Sequence, residues 1–146
     1  MQTSRLPAPT RRRRLALAVA GLGVVPAGLA SRFLFDGVIG DAAGGVLYAV
    51  LIYLLVAFVV PTWRPLRVGA IAAVLCFAVE LFQLTPVPTS LAAVFPPIAL
   101  VLGTTFVAAD LPAYAAGAAA AAAVDALMIQ SFTRRRAGRP GGLPAR

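Results

Sequence analysis

Four long stretches of the chain carry almost no charge. Leu15 to Ser31, Ala42 to Val60, Val68 to Leu84 and Leu111 to Ser131 are each bounded by arginine, an acid or proline. Each comes close to the roughly 20 residues that cross a hydrocarbon layer of about 30 Å at 1.5 Å per residue. The pattern predicts an all-α fold, a polytopic membrane bundle of four spanning helices. The piece between the third and fourth spans, Thr85 to Asp110, holds Pro86, Pro88, Pro96 and Pro97 and then the apolar run Ile98 to Ala109. At about a dozen residues that run is too short to cross, so it is expected to be re-entrant or interfacial. Irregular backbone cannot satisfy its hydrogen bonds in lipid, which places Thr85 to Pro97 at the interface or folded back into the bundle. The last span, with its alanine block, Gly117 and Asp125, is weakly hydrophobic and is expected to pack inside. Gly69 with Ala73 and Gly117 with Ala121 give the small-xxx-small spacing that lets helix backbones approach closely.

Composition agrees with the hydropathy pattern. Of 146 residues, 60% are hydrophobic and 12% charged, against roughly 25% charged in soluble domains. A domain this small could not hide so much apolar surface from water. The 13 basic residues are all arginine, and Lys, His and Asn are missing. An imidazole base, a Schiff-base lysine, the commonest metal ligand and an N-glycosylation acceptor are thereby removed. Cys76 is the single cysteine and sits in an apolar stretch, so neither a disulfide framework nor a cysteine metal cluster is expected. The reading therefore includes no metal and no cofactor.

The net charge of +8 belongs to the ends. Five arginines lie in residues 1–14 and five in 134–146, while all five acids lie between. The predicted organisation is a basic tail over 1–14, a transmembrane domain over 15–131 and a basic disordered tail over 132–146. Both tails and the Arg64/Arg67 loop fall where the positive-inside bias is counted, so both termini are expected in the cytoplasm of a plasma-membrane protein with an even number of crossings. No aromatic residue is interleaved with the tail arginines, which argues against nucleic acid as a partner. Contact with anionic lipid, at roughly 1 kcal/mol per arginine, suits them better. Basic residues, an apolar run and Gly28-Leu29-Ala30 also make a passable signal peptide. Pro26 and the ordinary helix length favour a retained first span.

Ionisable residues in a span cost roughly 2.5 to 3.5 kcal/mol at its centre on insertion scales. In the expected topology Arg32, Asp36 and Asp41 lie in the outer loop. Glu80 and Gln83 share a face near the outer end of the third helix, and Asp110, Tyr114 and Gly117 share one on the fourth. A polar cluster in the outer half of the bundle is the candidate site. Simpler roles exist for its members: Asp110 before Leu111-Pro112 suits a helix N-cap, and Glu80 could pair with Arg32 to tie helices together. Asp125 falls nearer the cytoplasmic arginines, and Phe33, Tyr48, Tyr53 and Trp63 suit interfacial or packing aromatics.

Several segments carry a resemblance. Gly28-Leu29-Ala30-Ser31-Arg32, Val46-Leu47-Tyr48-Ala49, Val79-Glu80-Leu81-Phe82-Gln83-Leu84, Leu102-Gly103-Thr104-Thr105-Phe106 and Asp110-Leu111-x-x-Tyr114-x-x-Gly117, in that order, resemble the bacterial membrane family called domain of unknown function 2809. More distantly, Glu-x-x-Gln followed by an aspartate with a glycine seven residues on is similar to VanZ-like envelope proteins. The resemblance implies a multi-pass membrane protein and carries over Arg32, Glu80, Gln83, Asp110, Tyr114 and Gly117. Two positions depart from it: Gly45 stands where an acid is expected before Val46, and no basic residue lies between Gln83 and Gly103.

The main functional reading is a small inner-membrane protein whose outward polar cluster binds an envelope component without a nameable reaction. A lipid-modifying or VanZ-like enzyme is the less favoured alternative, and a subunit of an oligomeric transporter is another. The bilayer is the expected partner, with a homo-oligomer as a further option for so thin a bundle.

Overall fold

The computed structural model describes residues 8–137, and the side chains of 8–9, of Arg32 and of 132–137 lie outside what it describes. Its long helices are α1 (Ala8–Leu34), α2 (Gly37–Val59), α3 (Pro65–Phe82) and α6 (Asp110–Ala137), with α4 (Val87–Val94) and α5 (Ala99–Leu102) between the last two. Four of these are long and apolar enough to cross a membrane: Thr10–Ser31 in α1, Gly37–Val59, Pro65–Phe82 and Asp110–Ser131 in α6. No strand occurs among the described residues. The expected all-α, four-span bundle is the observed one, and α4 and α5 are too short to add a crossing. α1 takes Arg11 to Arg14 into the helix, and α6 continues to Ala137 into the stretch expected to be a disordered tail.

Local chemistry sets the breaks. Gly37 starts α2 at φ +62, and a Cβ at Gly40 would stand 2.2 Å from the Phe35 carbonyl oxygen, so the α1–α2 turn closes tightly only with glycine there. α2 stops before Pro61, and Pro65 opens α3 at a position where a missing N–H costs nothing. After Phe82, Pro86 prevents α3 from continuing, and Pro96-Pro97 end α4 and form a 3-10 turn to Ile98. Short connections make α1, α2 and α3 antiparallel neighbours.

Packing is inverted relative to a soluble protein. The interior is built of Ala49, Ala57, Ala72, Ala118 and Ala122 with Tyr53, Val68 and Cys76. Leu22, Val38 and Leu66 are three-quarters or more exposed. Such a molecule places large apolar side chains against lipid and small ones between helices. α2, α3 and α6 pack mutually, while α1 leans on α2. The glycines named by the spacing argument sit at the crossings. A Cβ on Gly69 would lie 3.0 Å from that of Ala122, and one on Gly117 would lie 2.4 Å from the Val46 carbonyl oxygen.

Gly117→Ala should therefore force α2 and α6 apart and lower stability by roughly 1 to 3 kcal/mol. Gly23→Ala, where nothing lies within 4 Å of the added methyl, should leave stability unchanged or raise it by up to about 1 kcal/mol. Thermal unfolding of both variants in detergent measures the contrast. Equal midpoints would refute the close crossing.

Candidate functional site

Glu80 lies in the last turn of α3 and is 1% exposed, among apolar side chains. A carboxylate taken out of water needs hydrogen bonds to offset several kcal/mol of lost hydration. One oxygen accepts the backbone N–H of Val107 at 2.5 Å, and the other accepts the Tyr114 hydroxyl at 3.1 Å. The carboxylate thus joins α3 to α6 and to the irregular stretch that precedes α6.

Three further contacts hold the same stretch. One turn beyond Glu80, Gln83 donates from Nε2 to the Leu102 carbonyl at 2.7 Å. Tyr48 of α2 donates to the Val101 carbonyl at 2.9 Å, its ring 5.8 Å from that of Tyr114. Thr89 of α4 donates to Thr104 at 3.3 Å. The chain reverses at Gly103, where φ is +64 and a Cβ would meet the Gln83 amide nitrogen at 2.5 Å. The segment folds back against the bundle, and side chains of α2, α4 and the end of α3 supply hydrogen-bond partners for its backbone.

Beside this seam lies a cleft of about 740 Å³. α1 contributes Val24, Gly28 and Leu29, and α2 contributes Asp41, Gly44 and Tyr48. The stretch from Ala99 to Thr105 and the Asp110–Tyr114 turn of α6 complete it. Gln83 borders it too, with its Oε1 buried and without a hydrogen-bond partner. Its polar side chains include Asp41, Gln83, Thr104, Thr105 and Asp110, and apolar side chains of α1, α2 and the loop line the rest.

The structure thus unites much of the expected cluster. Glu80 and Tyr114 are bonded to each other, while Gln83, Asp110 and Tyr114 border one cleft. Gly117 is a packing residue between Val46 and Ala49, one turn away. Arg32 continues α1 one turn beyond Gly28 and Leu29; its side chain, and with it the expected Arg32–Glu80 pair, falls outside the described residues. Gly45, where an acid is expected from the resemblance, leaves room for Tyr114, whose ring lies 3.5 Å from where a Cβ would be.

A second polar centre occupies the opposite end of the bundle. Asp125 of α6 accepts the Tyr53 hydroxyl at 2.8 Å and an Arg13 guanidinium N–H at 2.6 Å on the same oxygen. Sequence reasoning put Asp125 near the arginines but took Tyr53 for a packing aromatic. The available signal was Asp125 itself, an acid inside an alanine helix that must find partners. Among the described residues no group of three His, Cys, Asp or Glu could hold a metal ion.

Four apolar helices around a small-residue core, with a re-entrant segment pinned by buried side chains, define a multi-pass helical membrane protein. The family model described as "Protein of unknown function (DUF2809)" matches residues 34–118, more than half of the chain, and the chain belongs to that family. The match runs from the end of α1 into α6 and includes Glu80, Gln83, Asp110, Tyr114 and Gly117. No curated protein and no solved structure matches the chain.

Glu80→Leu should strand the Val107 N–H and the Tyr114 hydroxyl and cost roughly 2 to 5 kcal/mol, while Glu80→Gln, which keeps an acceptor, should cost less. A double-mutant cycle with Tyr114→Phe in detergent should give a coupling of roughly 0.5 to 3 kcal/mol. Simple additivity would mean that the two side chains do not act together.

Proposed function

We propose that this protein is a binding protein of the bacterial plasma membrane whose cleft takes up a lipid-like envelope component. The observation that carries the reading is the mixed lining of the cleft, which joins Asp41, Gln83 and Asp110, at the helix ends on one side of the bundle, to Val24, Val25 and Leu51 deeper along α1 and α2. An amphiphile would place its head near Asp41, Gln83 and Asp110 and its chain along Val24, Val25 and Leu51. The commitments of the polar groups favour binding over turnover. Glu80 holds a backbone N–H, and the Gln83 amide nitrogen and Tyr48 hydroxyl hold backbone carbonyls. A carboxyl that must stay in place to keep a loop folded is a poor general acid, because its proton transfer would disturb its own support.

Orientation follows from charge. Arg11 to Arg14 at the start of α1 and Arg64 and Arg67 at the α2–α3 turn share one face of the bundle, the face expected in the cytoplasm. The cleft then opens on the external side. Reporter fusions after Gly40 and after Arg146 check this. An active external reporter is expected at 40 and an inactive one at 146, and the reverse pattern would invert the assignment.

Gly44→Leu tests the cleft. An added Cβ there meets only the Ser31 hydroxyl oxygen at 3.9 Å, so the side chain should fill the space without opening the bundle. Native mass spectrometry of the full chain released from detergent should show a lipid-sized adduct on the unaltered protein and its loss in Gly44→Leu, with thermal unfolding shifted by less than about 1 kcal/mol. An adduct kept in full by a folded Gly44→Leu variant would defeat the proposal.

A further inference from the structure

The end of the bundle opposite the cleft carries a second feature that the proposed function does not use. At the α2–α3 turn, Leu55, Val56, Val59 and Val60 of the α2 end, Trp63 of the turn and Ile71 of α3 line an open groove of about 310 Å³ with no polar lining residue. Arginines stand around it. The Arg67 guanidinium lies 5.4 Å from the centre of the Trp63 ring. Arg14 donates to the Val59 carbonyl at 3.2 Å and stands 5.5 Å from the Phe58 ring centre. Arg64 is exposed at the N-terminus of α3, where no side chain caps the helix. The acid at this end, Asp125, is taken by Arg13 and Tyr53, and the other four acids belong to the opposite half.

We propose that this groove is a binding site for one anionic glycerophospholipid, with an acyl chain between α2 and α3 against Trp63 and the phosphate at Arg64 and Arg67. The chemistry is complementary at both ends. An apolar groove facing hydrocarbon accepts a chain that water would reject. Guanidinium groups match phosphate oxygens with paired donors. The positive end of the α3 dipole favours an anion at the same height. Trp63 marks that height, since its ring prefers the boundary between headgroups and chains. The site shares no lining residue with the cleft and stands or falls independently of it.

Trp63 is the single tryptophan of the chain, so its fluorescence reports on this groove alone. The full chain is reconstituted in vesicles of zwitterionic phosphatidylcholine containing a small fraction of phosphatidylglycerol, with either one or the other brominated in its acyl chains. Brominated phosphatidylglycerol should quench Trp63 at a local preference of about fivefold per contributing arginine. Arg64→Gln combined with Arg67→Gln, both at exposed positions, should bring the preference to parity. Arg11→Gln combined with Arg12→Gln, which removes equal charge elsewhere on the same face, should leave it in place. Equal quenching by the two lipids in the unaltered protein would overturn the proposal. So would a preference that survives the loss of Arg64 and Arg67, or one that falls equally in the Arg11/Arg12 variant, which would assign it to general surface charge.

Discussion

Within a bilayer, backbone that is not helical must find hydrogen-bond partners in the protein, because the surrounding hydrocarbon offers none and each unmet group costs several kcal/mol. The stretch from Val101 to Val107 meets this constraint with side chains borrowed from α2, the end of α3 and the short α4. Glu80 is the member with most at stake, since its own burial is tolerable only while Val107 and Tyr114 donate to it. Loop and carboxylate each solve the other's desolvation problem. The cleft depends on the result, because Val101, Leu102, Gly103 and Val107 form one of its walls.

The same helix that carries Tyr114 also carries Asp125, eleven residues or about 16 Å further along. Between them α6 presents Gly117, Ala118, Ala121 and Ala122 to its neighbours. Small residues fix how near the helices come but say little about sliding, since one alanine resembles the next. Hydrogen bonds at the two ends supply what the alanines lack. Tyr114 to Glu80 sets the height of α6 against α3, and Asp125 to Tyr53 sets it against α2. Polar residues that are expensive in lipid therefore have a use in register, as a buried polar group does in a coiled coil.

Hydropathy alone made the four spans legible, because crossing a membrane demands length and apolarity and little else. That the piece between the third and fourth spans adds no crossing was legible from its prolines and its shortness. Periodicity also gathered Glu80 with Gln83 and Asp110 with Tyr114 at one end of the bundle. What the sequence could not reveal was the identity of the partners. Glu80 was expected to need a cation such as Arg32, yet among the described groups it accepts from a backbone N–H and a phenol, and any residue of the loop could have offered the first. Arg13 was hidden differently. It is one of four consecutive arginines, and only the rotation of α1 against α2 and α6 distinguishes the one that reaches Asp125 from its neighbours.

The uneven packing of the helices bears on how the proposed ligand would arrive. α2, α3 and α6 share the buried core, so separating any pair would expose closely fitted glycine and alanine surfaces and break the register bonds of α6. α1 contributes little to that core: a mere 6% of its spanning window is buried, and it leans on α2. It nevertheless supplies the apolar wall of the cleft through Val24, Val25 and Leu29. An amphiphile arriving sideways from the bilayer would therefore enter beside α1, which touches the bundle chiefly through α2 and leaves its other side to lipid. The Arg13–Asp125 bond limits that freedom at the opposite end of the helix. Held at its arginine end and standing outside the core shared by α2, α3 and α6, α1 is the helix whose displacement would admit a chain without loosening the three helices that hold the loop.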